Sequence, residues 1–230
     1  MKTKDKQKEF SIIEKKGISY LLDDKGKIKK FRPWLGDIFS FLYDRIMEKS
    51  IFPKLLNADI EKHFEILEKE LQNIHNSNIL EIGVGSGTSA DFISNDNKFT
   101  GLDISKGLLT KAQSRFINKG FKNLKLYNAS ADDLPFSSNT FDFAICNLSL
   151  NFFDNLELFT KELRDVLKIN STFFCSVPIP ERKPAKSKIR GVLSSEVQLI
   201  LNFEKYGFEY VKKPYRNGAV LYFAAVLKEK

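Results

Sequence analysis

An α/β fold with a mostly parallel sheet is predicted by three features of the sequence. From Ile79 onward, short apolar runs alternate with amphipathic stretches, the pattern of repeated strand and helix units. The last two apolar runs have no helix between them, which predicts an antiparallel hairpin at one edge of the sheet. The chain has 230 residues, of which 42% are hydrophobic and 13% aromatic, enough to fill the core of such a sheet.

The individual elements follow from the periodicity of apolar residues. Seven strands are predicted near 78–83, 98–103, 124–128, 141–147, 171–177, 208–212 and 220–227. Four helices are predicted near 87–96, 105–119, 153–168 and 195–205. Ser195 and Gln198 have capping-box spacing at the start of the last helix, and Gly207 follows its end. We therefore expect a domain with a seven-stranded sheet over 71–230.

The first seventy residues show a different pattern. GISYLLDDKGKIKKF alternates apolar and polar residues around a DDKG turn, so a hairpin is expected at about 18–31. FSFLYDRIMEKSIF and ADIEKHFEILEKEL show helical spacing, the second with Phe64, Leu67 and Leu71 on one stripe. We interpret residues 1–70 as an N-terminal hairpin and helical cap on the sheet.

The net charge of +8 is concentrated in two segments. Residues 1–30 carry ten lysines against five acidic residues, and residues 181–190 carry five basic residues against one acid. A nucleic-acid-binding protein would spread its basic residues over one face of its core, so nucleic acid is not an expected partner. Solvated segments are favoured over a polyanion site.

The sequence predicts no membrane span and a cytoplasmic location. No window approaches the roughly 18 consecutive apolar residues of a span, and the lysine-rich start is not followed by the apolar stretch of a signal peptide. Cys146 and Cys175 each lie in an apolar run, so buried thiols are expected. His63 and His75 lack metal-ligand partners at useful spacing, and neither is predicted to supply a catalytic base. No metal ion is expected.

A glycine-rich stretch, ILEIGVGSGTSADFI at 79–93, carries the strongest functional pattern in the chain. A P-loop ends in Gly-Lys-Ser/Thr, and this stretch contains no lysine, which excludes that type of phosphate site. The dinucleotide pattern G-x-G-x-x-G is absent, because Thr88 stands three residues after Gly85. With Glu81 before Gly83 and Gly87 at the end, the spacing is E-x-G-x-G-x-G.

This spacing resembles the first motif of the class I S-adenosylmethionine-dependent methyltransferases, which have a Rossmann-like fold. The resemblance implies S-adenosylmethionine as cofactor and S-adenosylhomocysteine as product. It also implies that Gly83, Gly85 and Gly87 let the backbone approach the ligand, and that Glu81 helps to place the methionine amino group. FTGLDIS resembles the second motif, whose acid, here Asp103, accepts both ribose hydroxyls. Dinucleotide enzymes also carry an acid at about this position.

Further cofactor contacts are implied by two later stretches. Ile104 follows Asp103 and is assigned to the same site. ASADDLPFSSNTFDFAICNLSL resembles the family's segment from the adenine site into the fourth strand. Close relatives have an Asp-Ala pair before Leu-Pro-Phe, and this chain has Ser130 and Ala131 at those positions. Ser130 or Asp132 is expected to accept from the adenine amino group. The residues that line the cofactor pocket at the end of the strand would be Asn147 and Leu148.

The segment FSFLYDRIMEKSIFPK is similar to the N-terminal element of the UbiE-like quinone-biosynthesis methyltransferases and related small-molecule enzymes. In that group a Tyr-Asp pair leads a helix over the cofactor, and Tyr43 and Asp44 match the pair. Methyl transfer from a sulfonium is an in-line displacement, to which positioning can contribute roughly 7 to 11 kcal/mol. A fixed catalytic residue is therefore not required. If the acceptor needs a base, Tyr43 or a carboxylate is the candidate.

A small, apolar acceptor fits the sequence best. Enzymes that methylate exocyclic amines of bases or glutamine carry an Asn/Asp-Pro-Pro-aromatic motif, and this chain has Asn-Leu-Ser-Leu at 147–150. Cytosine C5 methylation needs a cysteine at a strand end, whereas both cysteines lie inside predicted strands. Two alternatives remain: an NAD-type Rossmann oxidoreductase, which the glycine spacing disfavours, and a non-catalytic S-adenosylmethionine-binding protein. The sequence does not predict the oligomeric state.

Overall fold

The computed structural model describes residues 10–31 and 42–230. These residues form a nine-stranded sheet of order β1-β2-β5-β4-β3-β6-β7-β9-β8. The strands are β1 (Ile12–Lys15), β2 (Ile18–Leu21), β3 (Asn78–Ile82), β4 (Lys98–Asp103), β5 (Leu124–Asn128), β6 (Phe141–Asn147), β7 (Leu167–Pro178), β8 (Phe208–Lys212) and β9 (Val220–Leu227).

All seven predicted strands are present, from β3 to β9. β3, β4, β5, β6 and β7 are parallel, and β9 is antiparallel to β7 and β8, which confirms the predicted edge hairpin. β7 begins earlier than predicted, at Leu167, because it also pairs with Phe141 across an irregularity in β6. Asn170, just before the predicted strand at 171–177, has a φ of 64°, a left-handed conformation that asparagine tolerates.

The N-terminal hairpin begins earlier in the chain than predicted. β1 and β2 pair antiparallel across Gly17. The DDKG turn at 23–26 lies instead between two residues, Leu22 and Ile28, that form a single isolated bridge. The pattern of β1 was missed because its burial does not alternate: all four of its residues are exposed. β2 pairs in parallel with β5, so the hairpin extends the sheet beyond the seven predicted strands.

Five α-helices accompany the described strands. They are α1 (Tyr43–Ile46), α2 (Ile60–Leu71), α3 (Lys106–Asn118), α4 (Leu156–Val166) and α5 (Glu196–Lys205). π-Helical turns continue α1 over Met47–Leu56. The first residues of the predicted FSFLYDRIMEKSIF helix, 39–41, lie outside the described residues. α5 begins with the predicted capping box between Ser195 and Gln198.

The predicted helix at 87–96 is wrong. The glycine loop leads only into a short 3₁₀ turn, Thr88–Asp91. The following residues, Ser-Asn-Asp-Asn at 94–97, bond to nearby backbone in turns and so compete with a helix. Asn97 illustrates this competition, because its side-chain amide donates to the Ile74 carbonyl at 2.7 Å and to the Ser94 carbonyl at 2.9 Å.

Helix α2 is fixed to the segment that precedes β9. Asp59 caps the helix, and its own backbone N–H donates to Asn217 Oδ1 at 2.8 Å. Asn217 Nδ2 in turn donates to the Asp59 carbonyl at 2.7 Å. Leu67 and Leu71 of the predicted stripe are buried against the sheet, while Phe64 is half-buried. These two hydrogen bonds between Asp59 and Asn217 clamp α2 in place and so determine which α2 side chains face β9.

The strands place side chains in two apolar cores, one on each face of the sheet. In β3, for example, Leu80 and Ile82 belong to one core and Ile79 to the other. Among the described residues, none of the helices has the length and apolar composition needed to cross a bilayer. The basic segment 181–190 is attached to the fold, because Arg182 donates to the Val220 carbonyl at 2.9 Å.

Candidate functional site

A cavity of about 650 Å³ lies at the carboxyl ends of the central strands. Open α/β sheets bind ligands at this edge, and the volume is within the range of small-molecule sites. Eleven of the twelve residues predicted for the site line it: Tyr43, Glu81, Gly83, Gly85, Asp103, Ile104, Ser130, Ala131, Asp132, Asn147 and Leu148. The structure therefore brings together residues that are separated by up to about half of the chain.

Asp103 is held at the end of β4 by backbone amides. The Gly85 N–H donates to Oδ2 at 2.9 Å, and the Ser105 N–H donates to Oδ1 at 2.8 Å. These two hydrogen bonds fix the orientation of the carboxylate at the edge of the cavity. A Cβ atom added at Gly83 would lie 2.5 Å from the Ser149 side chain, and φ there is 74°. Glycine is thus required for the loop to pass this point.

Gly87 is not among the residues that line the cavity. Its φ is 78°, and an added Cβ atom would lie 2.8 Å from the Cα of Ala112 in α3. The absence of a side chain therefore lets the loop pack against α3. The structure gives Gly87 a packing role, where the sequence pattern predicted a contact with the cofactor.

Glu81 is buried beside the cavity and accepts a hydrogen bond from the Ser89 hydroxyl. Burial raises the pKa of Glu81 from 4.5 to about 8; the Ser89 hydrogen bond opposes this rise and the negative charge of Asp103 adds to it. The carboxyl is therefore mostly protonated at neutral pH in the absence of a cation. A ligand ammonium next to it would favour the ionised form.

We expect Glu81→Gln to be more stable than the wild type at pH 8. Because the folded pKa lies above the unfolded one, the folded chain keeps a proton between pH 4.5 and about 8 that the unfolded chain has lost. Stability therefore falls as pH rises through this window, at up to roughly 1.4 kcal/mol per pH unit. Urea denaturation at pH 5 and pH 8 measures the effect, and Glu65→Gln at an exposed position of α2 is the control. A variant equally destabilised at both pH values contradicts the assignment.

Helix α1 is tethered over the glycine loop. Asp44 accepts from the Ser86 hydroxyl at 2.6 Å and from Lys111 Nζ at 3.0 Å. Tyr43 lines the cavity next to it, and burial, followed by the charges of Asp103 and Asp44, raises the pKa of its phenol well above the ordinary value. The phenol keeps its proton at neutral pH. The raised pKa disfavours Tyr43 as a general base and favours a role as a hydrogen-bond donor.

Ser130 and Asp132 are the two residues that the resemblance implies for the adenine amino group. Of the two, Asp132 is the better hydrogen-bond acceptor. Its Oδ1 is buried and has no hydrogen-bond partner among the described residues. The Ser130 hydroxyl is 3.4 Å from Asp132 Oδ2, a long contact. Burial, followed by the charge of Asp154, raises the pKa of Asp132. Of the two candidates that the sequence left open, the geometry favours Asp132.

The end of β6 adopts an unusual backbone conformation. Leu148 has a φ of 53°, in the left-handed region that leucine rarely occupies. Its N–H donates to the Ser176 carbonyl at 2.9 Å, which holds this conformation in place. Asn147 Oδ1 accepts from the Ser176 hydroxyl at 2.6 Å. Strain of this kind is concentrated at functional sites, and here both residues line the cavity.

His63 was missed by the sequence reasoning, which placed no histidine at the site. It lines the cavity, is 1% exposed, and its Nδ1 lies 2.8 Å from the Tyr222 hydroxyl. Burial lowers the pKa of His63 from 6.5 to about 4, so the ring is neutral at physiological pH. A pattern in the sequence could have shown its burial: His63, Leu67 and Leu71 are spaced by four residues and share one helix face.

The two cysteines lie side by side on β6 and β7. Cys146 and Cys175 are register partners, and both are buried, free thiols. In residues 10–31 and 42–230, no group of three or more His, Cys, Asp and Glu side chains is arranged to hold a metal ion.

Comparison with known proteins shows which family the segment that builds this cavity resembles. Residues 80–175 match the family described as "Methyltransferase domain". β3 to β9 form the mostly parallel sheet with an antiparallel edge hairpin that the sequence predicts. This segment resembles a methyltransferase domain of class I. The donor used by this class is S-adenosylmethionine, and the residues around the cavity fit it, because Asp103, Asp132 and Glu81 provide acceptors for hydroxyl, amino and ammonium groups.

Individual relatives agree with this assignment. Over 115 residues the chain is 32% identical to the ubiquinone/menaquinone biosynthesis C-methyltransferase UbiE of Rickettsia bellii, a match that covers 46% of each chain. Thus the chain spans about half the length of the curated relatives it matches. An Aquifex aeolicus SAM-dependent methyltransferase superposes with a TM-score of 0.62 at 18% identity, covering 86% of this chain and 100% of that one. YcgJ of Bacillus subtilis superposes with a TM-score of 0.62 at 15% identity, covering 74% of this chain and 100% of that one. The predicted fold class is confirmed.

Proposed function

We propose that this protein transfers the methyl group of S-adenosylmethionine to a small-molecule acceptor. The observation that carries the proposal is the hydrogen bond from the Gly85 N–H to Asp103, at 2.9 Å, beside a cavity that Glu81 also lines. This arrangement supports a ribose contact at Asp103 and an ammonium contact at Glu81. The free oxygen of Asp132 supports an adenine contact at the other end.

The proposed chemistry relies on alignment. When bound, S-adenosylmethionine supplies an activated methyl group; its transfer forms a bond to the acceptor and leaves the electron pair of the broken S–C bond on sulfur. The protein holds the ligand against Asp103, and α1 covers the glycine loop through the contact between Asp44 and Ser86. Such positioning and exclusion of water are what an in-line displacement requires.

The acceptor in this proposal is small and largely apolar, and the reaction takes place in the cytoplasm. Four aromatic residues on the cavity wall support an apolar acceptor: Phe52, Phe64, Phe152 and Phe153. The name of the UbiE relative, a C-methyltransferase of ubiquinone and menaquinone biosynthesis, is in keeping with an acceptor of this kind. The adjacent free thiols Cys146 and Cys175 support a reducing compartment.

Ligand-dependent unfolding tests the cofactor. At a concentration of S-adenosylhomocysteine about 100 times its dissociation constant, the free energy of unfolding should rise by roughly 2.7 kcal/mol. The melting temperature should rise with it, whereas NADH should have no effect. Stabilisation by NADH alone would contradict the proposal and favour the oxidoreductase alternative.

A transfer assay tests catalysis separately. The protein is incubated with S-adenosylmethionine labelled in its methyl group and with a panel of small phenols, quinols and amines, and products are detected by mass spectrometry. A labelled small molecule is expected, and its formation should be abolished when Asp103 is replaced. Tight cofactor binding without transfer to any panel member would favour the non-catalytic alternative.

A further inference from the structure

A chain of hydrogen bonds starts at Asn217 and ends at the cavity. The carboxamide of Asn217 has a fixed orientation, because Oδ1 accepts from the Asp59 N–H at 2.8 Å and Nδ2 donates to the Asp59 carbonyl at 2.7 Å. The second hydrogen of Nδ2 is directed to the Tyr222 hydroxyl oxygen, 3.3 Å away. Tyr222 is therefore an acceptor towards Asn217.

This orientation favours one tautomer of the neutral His63 ring. Since the Tyr222 oxygen accepts from Asn217, its own hydrogen is available to His63 Nδ1 at 2.8 Å. Burial raises the pKa of Tyr222 to about 12, so the phenol keeps this hydrogen. Nδ1 is then an acceptor, and a neutral imidazole with Nδ1 unprotonated carries its proton on Nε2.

His63 Nε2 has no hydrogen-bond partner of normal geometry among the described residues. This nitrogen is buried. The neighbouring polar side chain is that of Asn147, whose hydrogen bonding acts to raise the His63 pKa and whose Oδ1 also accepts from the Ser176 hydroxyl at 2.6 Å. His63 and Asn147 both line the cavity. An unsatisfied buried donor is unfavourable, so an acceptor atom on a bound ligand would stabilise this arrangement.

The surroundings of His63 are aromatic. Its ring centroid lies 5.0 Å from that of Phe52, 6.1 Å from that of Phe64 and 5.7 Å from that of Tyr222. A single polar hydrogen in such a wall discriminates strongly between ligands with and without a matching acceptor, since few other groups there can compensate. The low dielectric of the wall also strengthens its interaction with a negatively charged oxygen.

We propose that His63 is a specificity residue, whose Nε2–H donates a hydrogen bond to an oxygen of an apolar methyl acceptor. Naming that ligand the methyl acceptor rests on the proposed function. A carbonyl or phenolic oxygen would satisfy the donor, and a phenolate or enolate oxygen would do so most strongly. In this role His63 does not act as the general base, because Nε2 already carries a proton.

The tautomer is measured directly on the full-length protein. The chain has only two histidines, so ¹⁵N-histidine labelling gives two ring systems, and His75→Gln assigns them. His63 is expected to be neutral from pH 6 to pH 8 with the proton on Nε2. A proton on Nδ1, or a charged ring at pH 7, would overturn the proposal, whether or not the protein binds S-adenosylmethionine.

The ligand contact is tested with 2-naphthol and naphthalene as probes, in the presence of saturating S-adenosylhomocysteine. 2-Naphthol should move the His63 Nε2 resonance and bind roughly tenfold more tightly than naphthalene. His63→Phe should abolish this preference while affinity for S-adenosylhomocysteine stays unchanged, and His63→Gln, which keeps an N–H near the Nε2 position, should restore part of it. His75→Gln should leave both affinities unchanged.

Tyr222→Phe tests the origin of the tautomer. Without the hydroxyl, Nδ1 loses its donor, so the two tautomers should mix and the preference for 2-naphthol should decrease. An unmoved Nε2 resonance in the wild type, or an equal preference for 2-naphthol in the wild type and His63→Phe, would overturn the proposal. A failure of the proposed function is distinguishable, because it would show as absent binding of S-adenosylhomocysteine.

Discussion

Replacing Asp103 with alanine is expected to weaken the binding of S-adenosylhomocysteine by roughly 100-fold or more. Two ribose hydroxyls donating to one carboxylate are charge-assisted hydrogen bonds, and each contributes roughly 1.5 to 3 kcal/mol. The variant also removes the acceptor of the Gly85 N–H, so the glycine loop loses its link to β4. Calorimetric titration of the folded variant measures the change in affinity.

Asp96→Ala is the matched control for this variant. Asp96 is a carboxylate at the surface that pairs with His75 at 3.0 Å, away from the cavity. Its replacement should leave the affinity unchanged and change stability little, because exposed ion pairs contribute little. If Asp103→Ala bound the ligand as tightly as Asp96→Ala, the second motif would be misplaced.

Gly87→Ala is expected to lower the free energy of unfolding by roughly 2 to 4 kcal/mol. The left-handed conformation alone costs an alanine roughly 1 to 2 kcal/mol. The new methyl group would also lie 2.8 Å from the Cα of Ala112, so the loop or α3 must move. Urea denaturation measures the loss, and the folded fraction should still bind S-adenosylhomocysteine.

Alanine variants at two other glycines separate the cost of the left-handed conformation from the cost of the close contact with Ala112. Gly26 has a φ of 70° and no atom within 4 Å of an added Cβ, so Gly26→Ala should show the conformational cost alone. Gly85 has a φ of 54° and lines the cavity, so Gly85→Ala should mainly reduce ligand affinity. A loss of stability in Gly87→Ala no larger than that in Gly26→Ala would contradict the packing role.

The strands and the residues that line the cavity at their carboxyl ends were largely predictable, because both depend on local patterns. Apolar runs identified β3 to β9, since strands buried in a sheet need continuous apolar residues. The spacing of Glu81, the glycines and Asp103 identified one edge of the sheet, since the ends of parallel strands must meet there. Gly87 is the one predicted site residue that does not line the cavity.

The features that the sequence did not reveal depend on distant contacts. His63 reaches the cavity because Asp59 and Asn217, 158 positions apart, clamp α2 to the segment before β9. β1 is an exposed strand whose place in the sheet depends on the pairing of β2 with β5. The helix expected after the glycine loop fails because of tertiary and turn contacts such as those of Asn97. None of these contacts leaves a periodic pattern.

The central claim is that the cavity holds S-adenosylmethionine in one defined orientation. A crystal structure of the complex with S-adenosylhomocysteine tests it most directly. The prediction is that the ribose hydroxyls contact Asp103, the amino group approaches Glu81, the adenine amino group faces Asp132, and the sulfur points towards the aromatic wall that contains His63. A ligand bound outside the cavity, or bound inside it with its ribose away from Asp103, would contradict the account.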